Sequence, residues 1–378
     1  MAAPVVVHVL EALEGGTARH VVDLVRHVEH YDHHVAVPSV RVGGLTDTDA
    51  APRMRDAGAT VHVVEMRRAP LTMHNARALL QLRRLIRSVD AQVVHGHSSI
   101  GGALARVAAR TTRRPCVYTP NGVATGRAAL AVERLLARAT ARIIAVSPSE
   151  AAAMQAHHIA AGDRVDIVPN GIDVVLPSVA PSVDLRELLG VPPTTALVGT
   201  VARLVPQKAP ERFVALAAAV HRQHPAAHFV LIGDGPLSAE VDRLAATGGA
   251  APCFHRLAAL PDAETVLGQL DVFVLASRFE GGPYAPLEAM RAGTPVVLTD
   301  VVGNHDVVES GRTGFLVPED AAGTMATTVA GLLADSQRAK EVGAAGQASV
   351  RERFDVVKTG EAVAAVYGSL VAQPPHDL

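Results

Sequence analysis

The stretch SRFEGGPYAPLEAM, residues 277–290, places Glu280 and Glu288 eight positions apart, with a Gly-Gly-Pro break between them. Eight helical steps would bring two carboxylates to roughly one side of a helix, but such a break makes a continuous helix improbable. Since the apolar run Val272–Leu275 predicts a strand, we expect Glu280 in the loop beyond its carboxyl end. Pro286 then suits the first position of the next helix, which places Glu288 in the first turn, beside free N–H groups that attract anions. One carboxylate could therefore bind sugar hydroxyls and the other a ribose.

A second loop, in the stretch GTVARLVPQKAPERF, carries two cations, Arg203 and Lys208. The letters PERF predict a helix that begins at a proline. Two cations held in such a loop could bind a diphosphate, arginine through its planar fork and lysine as a point charge. Taken alone, the pair is better explained as ordinary surface charge.

The first half of the chain places small and polar residues after three predicted strands. Gly15 and Gly16, in EGG, precede a helix, where missing side chains let a phosphate or sugar approach backbone N–H groups; alone they indicate only a tight turn. VVHGHSS places His97, and VYTPNG places Asn121, at a strand's carboxyl end. His97 is either a catalytic residue or a core histidine bonded to the backbone. Because G-x-G-x-x-G is missing, the pattern does not indicate a nicotinamide enzyme.

Two further polar segments predict local structure rather than chemistry. HVEHYDHHV, residues 27–35, is typical of a helix end and turn at the surface. It lacks the shell of acids that is expected of a metal centre. AVSPSEA predicts a capping box, in which Ser147 and Glu150 bind each other's backbone N–H groups.

Composition narrows the class of protein. The chain has 378 residues and 49% apolar content, enough for two domains with hydrophobic cores. A net charge of −2, 3% aromatic residues and no Trp argue against nucleic-acid binding. Cys116 and Cys253 are too few for a disulfide framework and have no metal-ligand spacing, which favours the reducing cytoplasm. The sequence predicts no signal peptide and no membrane-spanning segment.

Basic residues are concentrated between Met66 and Arg114, where ten Arg stand against one Asp. This pattern indicates either solvated helix faces or a basic surface that meets an anionic membrane or an anionic acceptor. We therefore expect a cytoplasmic protein that is either free or peripherally bound at the inner membrane face.

Thirteen short apolar runs predict parallel strands covered on both faces, with helical segments between them. The first series is Val5–Leu10, Val35–Pro38, Val61–Val64, Val93–His95, Cys116–Thr119, Ile143–Val146 and Val165–Val168, and the second is Ala196–Val201, His228–Ile232, Pro252–His255, Val272–Leu275, Pro295–Thr299 and Gly314–Val317. Between the two series, a segment rich in proline and turn residues predicts a hinge near 170–190. The fold class is therefore α/β, with two Rossmann-like doubly wound domains facing each other across a cleft.

The motifs EGG, VVHGHSS, VSPSE, VPNGID, VARLVPQKAPERF, IGDGPL, SRFEGGPYAPLEAM and AGTPVV follow one another along nearly the whole chain. In this order they resemble a retaining glycosyltransferase of family four, in its polysaccharide and glycoconjugate branch. The resemblance implies the GT-B fold. It places an acceptor-binding domain at residues 1–175 plus 357–378, where a C-terminal helix crosses back, and a nucleotide-sugar-binding domain at residues 176–356.

The resemblance assigns roles in the second domain. Arg203 and Lys208 would bind the donor diphosphate. Glu280 would contact the donor sugar, and Glu288 the ribose hydroxyls. The remaining binding residues would line the phosphate with backbone, namely Gly282, Pro283, Tyr284 and Ala285, or lie near the base, namely Arg256 and Leu257.

In the first domain, the resemblance brings Gly16, next to Gly15, close to the sugar-diphosphate. Family members commonly have a histidine where this chain has Asn121, and asparagine cannot shuttle a proton. Either that histidine is dispensable, or His97 does more, or the activity is reduced. The retaining route survives the change best, because the departing phosphate takes the acceptor's proton and the site works by orientation and charge stabilisation. No metal or other cofactor is then expected.

We therefore expect an enzyme that moves a sugar from a nucleotide diphosphate sugar, UDP-linked by preference, to a hydroxyl acceptor. The acceptor would be a sugar, a lipid-linked molecule or a small molecule in glycoconjugate, polysaccharide or natural-product biosynthesis. Two alternatives stay open, a UDP-sugar 2-epimerase of the same fold and a non-catalytic sugar-nucleotide-binding protein. The first would need no acceptor, and the second is suggested only by Asn121.

Overall fold

All thirteen predicted strands form in the computed structural model, which describes residues 3–11, 13, 15–39, 49–69, 72–123, 126–160, 162–175, 181, 183–260 and 262–372. Contacts divide the chain into two compact units. Unit 1 comprises Met1–Gly171 with Val356–Leu378, and unit 2 comprises Ile172–Asp355. Each unit holds one parallel sheet, so the predicted α/β class with two Rossmann-like domains is confirmed.

Unit 1 is built on a seven-stranded sheet. Its strands are β1 (Val5–Leu10), β2 (Asp32–Val37), β3 (Thr60–Val63), β4 (Val93–His97), β5 (Cys116–Thr119), β6 (Arg142–Ala145) and β7 (Val165–Ile167). They lie in the order β3-β2-β1-β4-β5-β6-β7. Every residue of β4 and β5 is buried, as expected of parallel strands covered on both faces. Each fully buried Val in them contributes about 1.5–3 kcal/mol to folding.

Helices cover this sheet. They are α1 (Gly15–His27), α2 (Ala50–Asp56), α3 (Met73–Ser88), α4 (Ser99–Thr112), α5 (Arg127–Leu136), α6 (Pro148–Ala156) and, from the end of the chain, α13 (Val356–Val371). Helix α13 packs against α1, and Gly360 lies at their contact. A Cβ at Gly360 would lie 2.4 Å from the backbone oxygen of His27, so the close approach depends on glycine.

Unit 2 contains a six-stranded sheet and its own helices. Its strands are β8 (Leu197–Val201), β9 (His228–Ile232), β10 (Phe254–Leu257), β11 (Val272–Leu275), β12 (Val296–Thr299) and β13 (Phe315–Val317); its helices are α7 (Leu185–Leu189), α8 (Pro210–His221), α9 (Ser238–Thr247), α10 (Tyr284–Arg291), α11 (Ala322–Ala334) and α12 (Ser336–Arg353). The sheet order is β10-β9-β8-β11-β12-β13. Alternate residues of β11 enter two different hydrophobic clusters, Val274 in one and Phe273 in the other, because successive side chains point to opposite faces.

Two local predictions can be checked at helix starts. Helix α8 begins at Pro210, as the letters PERF predict, after Ala209 in the left-handed conformation. Helix α6 begins after Ser147, whose Oγ accepts the N–H of Glu150 at 3.1 Å. Among the described residues, no helix is long and apolar enough to cross a membrane.

Candidate active site

In each sheet the strand order reverses at one point, and α/β proteins bind ligands at the carboxyl ends of the strands that flank such a point. In unit 2 the reversal lies between β8 and β11. Lys208 lies in the loop after β8, and Glu280 lies in the loop after β11. Parallel pairing of these two strands therefore brings together two charged residues that are 72 positions apart in the sequence.

Lys208 and Glu280 form an ion pair, with Nζ 2.5 Å from Oε1. Glu280 is only 5% exposed, and the Lys208 side chain is 17% exposed. The second carboxylate oxygen accepts a longer hydrogen bond of 3.4 Å from Nε2 of Gln207. Both oxygens of Glu280 thus have protein donors, and both charges are largely withdrawn from water.

Backbone contacts hold the loops that carry this pair. The N–H of Arg278 donates to the backbone oxygen of Gln207 at 2.8 Å, and the N–H of Glu280 donates to that of Val302 at 3.1 Å. Gly303, at φ +85°, packs so closely that a Cβ there would lie 2.9 Å from the Cβ of Glu280. These contacts leave the backbone of Glu280 little freedom to move.

The helix after this loop begins earlier than predicted. Helix α10 starts at Tyr284 and is capped by Pro283, so Pro286 is its third residue and Glu288 lies in its second turn. The prediction that Pro286 opens the helix, with Glu288 in the first turn, is therefore wrong. The physical reason is that the first four N–H groups of a helix have no intrahelical acceptor, so proline fits at several of these positions. Glu288 is buried, with 7% exposure.

Three other residues predicted to bind the donor lie at these strand ends. Arg203 is half-buried in the loop after β8. Gly282 and Ala285 are half-buried on either side of the start of α10. Their roles toward a diphosphate stay predictions.

Arg256 and Leu257 end the edge strand β10. The guanidinium of Arg256 binds Asp242 through two nitrogens, at 2.7 and 2.9 Å, and Asp234 through the third at 3.3 Å. Leu257 is half-buried beside the hydrophobic core. The Arg256 side chain is thus engaged by acids, and a place for the base near these two residues stays a prediction.

In unit 1 the strand order reverses between β1 and β4. Helix α1 begins at Gly15, whose φ of +65° suits glycine, and both Gly15 and Gly16 are exposed. His97 is the last residue of β4 and is fully buried. The glycines leave the start of α1 accessible, whereas His97 is closed off from solvent.

A chain of histidine rings links the strands next to this point. Nε2 of His33 donates to the backbone oxygen of Val28 at 2.9 Å, because a carbonyl can only accept. Neutral His33 then accepts from Nε2 of His8 at 3.0 Å, and Nδ1 of His8 accepts from Nε2 of His97 at 3.1 Å. One carbonyl therefore sets the tautomers of three rings. His97 is thus a core histidine, but its partner is His8 and not the backbone that the sequence analysis expected.

The surface prediction for residues 27–35 is wrong for His33, which is 5% exposed. Helix α1 ends at His27, and strand β2 already begins at Asp32. The strand is longer than its apolar run, so its alternation turns His33 onto the buried face.

His95 adds a fourth ring to this cluster. Its Nδ1 lies 2.6 Å from the hydroxyl of Tyr367 and its Nε2 lies 2.8 Å from that of Thr119. One ring nitrogen each from His8, His95 and His97 fall within 4.8 Å of one another, a spacing that could hold a metal ion. Hydrogen bonds already use both nitrogens of His8 and of His95, so the cluster is explained as a polar core that ties β1 and β4 to α13.

Burial lowers the pKa of these rings. The pKa values of His8, His95 and His97 lie well below the usual value, chiefly because burial disfavours the charged form and secondarily because neighbouring histidines repel one another's charge. Burial also lowers the pKa of His20 on α1 to about 4. The rings are therefore neutral at pH 7.

The loop that carries Asn121 is held by Glu150, which the sequence did not single out for this purpose. The N–H of Gly122 donates to Oε1 of Glu150 at 2.5 Å, and that of Val146 donates to Oε2 at 2.7 Å. The predicted capping box is thus half formed, because the carboxylate leaves the helix cap and reaches a neighbouring loop. Asn121 is half-buried at φ +56°, a region that asparagine tolerates. Burial raises the pKa of Glu150 to about 7.

The basic segment 66–114 divides into exposed and buried arginines. On α3, Arg77 and Arg84 are exposed, together with Met73 at 71% and Leu80 at 51%. This helix therefore presents cations and apolar side chains together.

Arg106, by contrast, is fully buried in α4. It binds both carboxylate oxygens of Glu133, at 2.7 and 3.1 Å, and its guanidinium lies 3.8 Å from the ring centre of Tyr118. This arginine joins α4 to α5 and belongs to neither a solvated face nor a basic surface.

Two family models match the chain. The model described as Glycosyltransferase Family 4 matches residues 14–176, and the model described as Glycosyl transferases group 1 matches residues 195–335. The chain belongs to family four of the glycosyltransferases. The resemblance found in the motifs is thereby confirmed.

Curated relatives of this glycosyltransferase agree with that assignment. It is 32% identical over 259 residues to UDP-Gal:alpha-D-GlcNAc-diphosphoundecaprenol alpha-1,3-galactosyltransferase of Escherichia coli, which covers 64% of this chain and 66% of the relative. It is 29% identical over 390 residues to alpha-maltose-1-phosphate synthase of Mycolicibacterium smegmatis, which covers 95% and 96% of the two chains.

Solved structures show the same fold. HepE of Anabaena, crystallised with UDP and glucose, superposes with a TM-score of 0.82 at 20% identity, over 97% of this chain and 100% of that one. Sucrose-phosphate synthase from Thermosynechococcus elongatus superposes with a TM-score of 0.80 at 20% identity, over 98% and 99%. This glycosyltransferase therefore has the GT-B fold, as expected.

Proposed function

We propose that this glycosyltransferase retains the configuration of the transferred sugar, needs no metal, and moves that sugar from a UDP-linked donor to a hydroxyl acceptor. The observation that carries the proposal is the contact between Lys208 and Glu280 at the strand-order reversal of unit 2. A cation beside a carboxylate suits a donor that carries a diphosphate next to a sugar. The UDP named for the galactosyltransferase relative and for the HepE complex supports the choice of nucleotide.

In the proposed reaction, the bond between the anomeric carbon and the diphosphate oxygen breaks. The acceptor oxygen attacks on the same face, and its proton passes to the departing phosphate. Lys208 and Arg203 stabilise the negative charge that grows on the diphosphate, which removes the need for a metal. Glu280 accepts hydrogen bonds from the sugar hydroxyls, and Glu288 binds the ribose.

Unit 1 is proposed to bind the acceptor. The exposed start of α1 at Gly15 and Gly16 lets a ligand approach backbone N–H groups. The loop with Asn121 offers a side chain that both donates and accepts hydrogen bonds. His97 is buried, so its contribution is to hold the end of β4.

A thermal-shift panel of nucleotide sugars tests the donor, since a bound donor raises the unfolding temperature by mass action. The donor that shifts the protein most is then tested for transfer and slow hydrolysis. We expect Lys208→Ala to lower kcat/KM by about 10²- to 10³-fold, because it removes charge stabilisation of the leaving group. Arg243→Ala is the matched control, since Arg243 is an exposed cation of α9. Equal activity of Lys208→Ala and the wild type would remove Lys208 from the reaction.

We further propose that α3 brings the enzyme to an anionic membrane, where a lipid-linked acceptor would be found. Its exposed Arg77 and Arg84 attract anionic headgroups, and Met73 and Leu80 can enter the interface. Each such arginine contributes about 1 kcal/mol near an anionic surface.

Flotation with phosphatidylglycerol vesicles tests this surface. The double variant Arg77→Glu with Arg84→Glu should lose binding, whereas Arg243→Glu on α9 should keep it. Vesicles of phosphatidylcholine alone should bind weakly. If the wild type does not float with the anionic vesicles, the acceptor is met in solution and the lipid proposal fails.

A further inference from the structure

Glu280 forms an ion pair with Lys208, the cation that is proposed to bind the donor diphosphate. Its Oε1 lies 2.5 Å from Nζ of Lys208, and its Oε2 accepts from Gln207 at 3.4 Å. The residue is 5% exposed, so its charge is poorly screened by water. A diphosphate that approaches Lys208 therefore competes with a fixed anion and is repelled by it.

The backbone of Glu280 is held in place, so a backbone shift cannot carry its carboxylate away from Lys208 when a diphosphate approaches. The N–H of Glu280 is bonded to the oxygen of Val302, and Gly303 packs against its Cβ. When Lys208 turns to a phosphate, the buried carboxylate must find another donor or remain without adequate partners, which is costly for a buried charge.

The two nucleotides that the site meets differ in this respect. A nucleotide sugar brings hydroxyl groups next to its diphosphate, and hydroxyls can donate to a carboxylate. The spent nucleoside diphosphate has no sugar there and offers Glu280 only further negative charge. The nucleotide sugar therefore offers Glu280 hydrogen-bond donors, whereas the nucleoside diphosphate product only repels it.

We propose that Glu280, through its contact with Lys208, is the residue by which this site prefers the sugar-loaded donor to free nucleoside diphosphate. The inference rests on the proposed donor-binding function of unit 2. It adds that the ion pair is a selectivity device, which favours release of the product after transfer.

Calorimetric titration without acceptor tests the inference, with UDP and with the UDP-sugar that gives the largest thermal shift. Glu280→Gln keeps the shape of the side chain but removes the charge. We expect this variant to bind UDP about 10-fold more tightly than the wild type and the UDP-sugar no more tightly. The dissociation constant for UDP divided by that for the UDP-sugar should therefore fall about 10-fold or more.

Glu319→Gln is the matched control, because Glu319 is also a glutamate of unit 2 that pairs with a cation, Arg212 at 2.7 Å. It should leave both dissociation constants unchanged. Glu280→Ala, which also lacks the charge, must show the same tightening of UDP, so that a folding defect of one variant cannot decide the result.

Unchanged or weaker UDP binding in both Glu280 variants would overturn the inference while leaving the donor site intact. A wild type that binds neither UDP nor any UDP-sugar would instead overturn the proposed function. The two failures are thus told apart by the wild-type titration alone.

Discussion

Both units have polar residues on, or in the loops after, the two strands that flank the reversal of strand order, but the surroundings of these residues differ. In unit 2, the strand ends beside the reversal carry Lys208 and Glu280, two charges that neutralise each other. In unit 1, the equivalent strands carry His8 and His97, whose burial keeps them uncharged. Position in the topology therefore brings polar groups together, whereas the environment decides whether they act as charges or as hydrogen-bonding core.

A second pair of residues makes the same contrast. Glu280 and Glu150 are both buried glutamates that hold loops. Glu280 is bonded to the ammonium group of Lys208, whereas Glu150 is bonded to the backbone N–H groups of Gly122 and Val146. Dipoles compensate a buried charge less well than a cation does, and burial raises the pKa of Glu150 to about 7.

The largest expected effect is selective loss of unit 1 in acid. Its buried histidines have pKa values below that of the unfolded chain, so the unfolded state takes up protons first as the pH falls below about 6.5. His20, whose pKa is about 4, alone costs about 2 kcal/mol at pH 5, and His8, His95 and His97 act in the same direction, whereas Glu150 of the same unit acts in the opposite direction.

Hydrogen exchange at pH 7 and pH 5 measures this effect for each unit. Amides of β1 and β4 should lose protection before those of β8 and β11. His228→Gln is a control: His228 is half-buried in unit 2, so its substitution should change the pH dependence of amide protection little. If both units lose protection together, the histidine core does not set the acid stability of unit 1.

The next effect concerns the carboxyl group of Glu150. Its pKa of about 7 in the folded state exceeds the usual 4.5, so this group's contribution to stability is greatest below about pH 4.5 and is lost as the pH rises through 7. The change amounts to about 3 kcal/mol between pH 4.5 and pH 8. Glu150→Gln should remove this dependence. Denaturant unfolding of both proteins across that range measures it, and parallel curves would contradict the assignment.

The smallest effect separates His97, a histidine of the core, from Lys208, the proposed ligand of the donor diphosphate. His97→Asn should cost about 1–3 kcal/mol of stability, because Nδ1 of His8 loses its donor inside the core. The kcat of the folded variant should change less than 3-fold, by an order-of-magnitude expectation for a residue outside the reaction. Lys208→Ala is the comparison: its kcat should fall much further, and it should also lose stability because Glu280 stays buried without its cation. A large fall in kcat of His97→Asn at full folding would restore a catalytic role to His97.

Much of the fold could be predicted because its signals are local. Continuous apolar runs such as Val272–Leu275 form the buried strands, and the proline in PERF opens α8 as expected. Predictions failed where two local signals competed. Pro286 can stand at several positions of a first turn, so α10 begins at Tyr284 instead. The strand β2 extends past its apolar run and buries His33.

The sequence by itself determined the α/β class, the family and the residue types available for chemistry, because periodicity, motif order and charge are properties of the chain. Only the tertiary structure decided which of those residues meet. Lys208 and Glu280 become partners because β8 and β11 are neighbours in the sheet, and Glu150 reaches Gly122 because β5 and β6 are neighbours. The tertiary structure also decided which side chains carry charge, because the pKa of a group depends on its burial and on the charges beside it, and neither can be read from its place in the sequence.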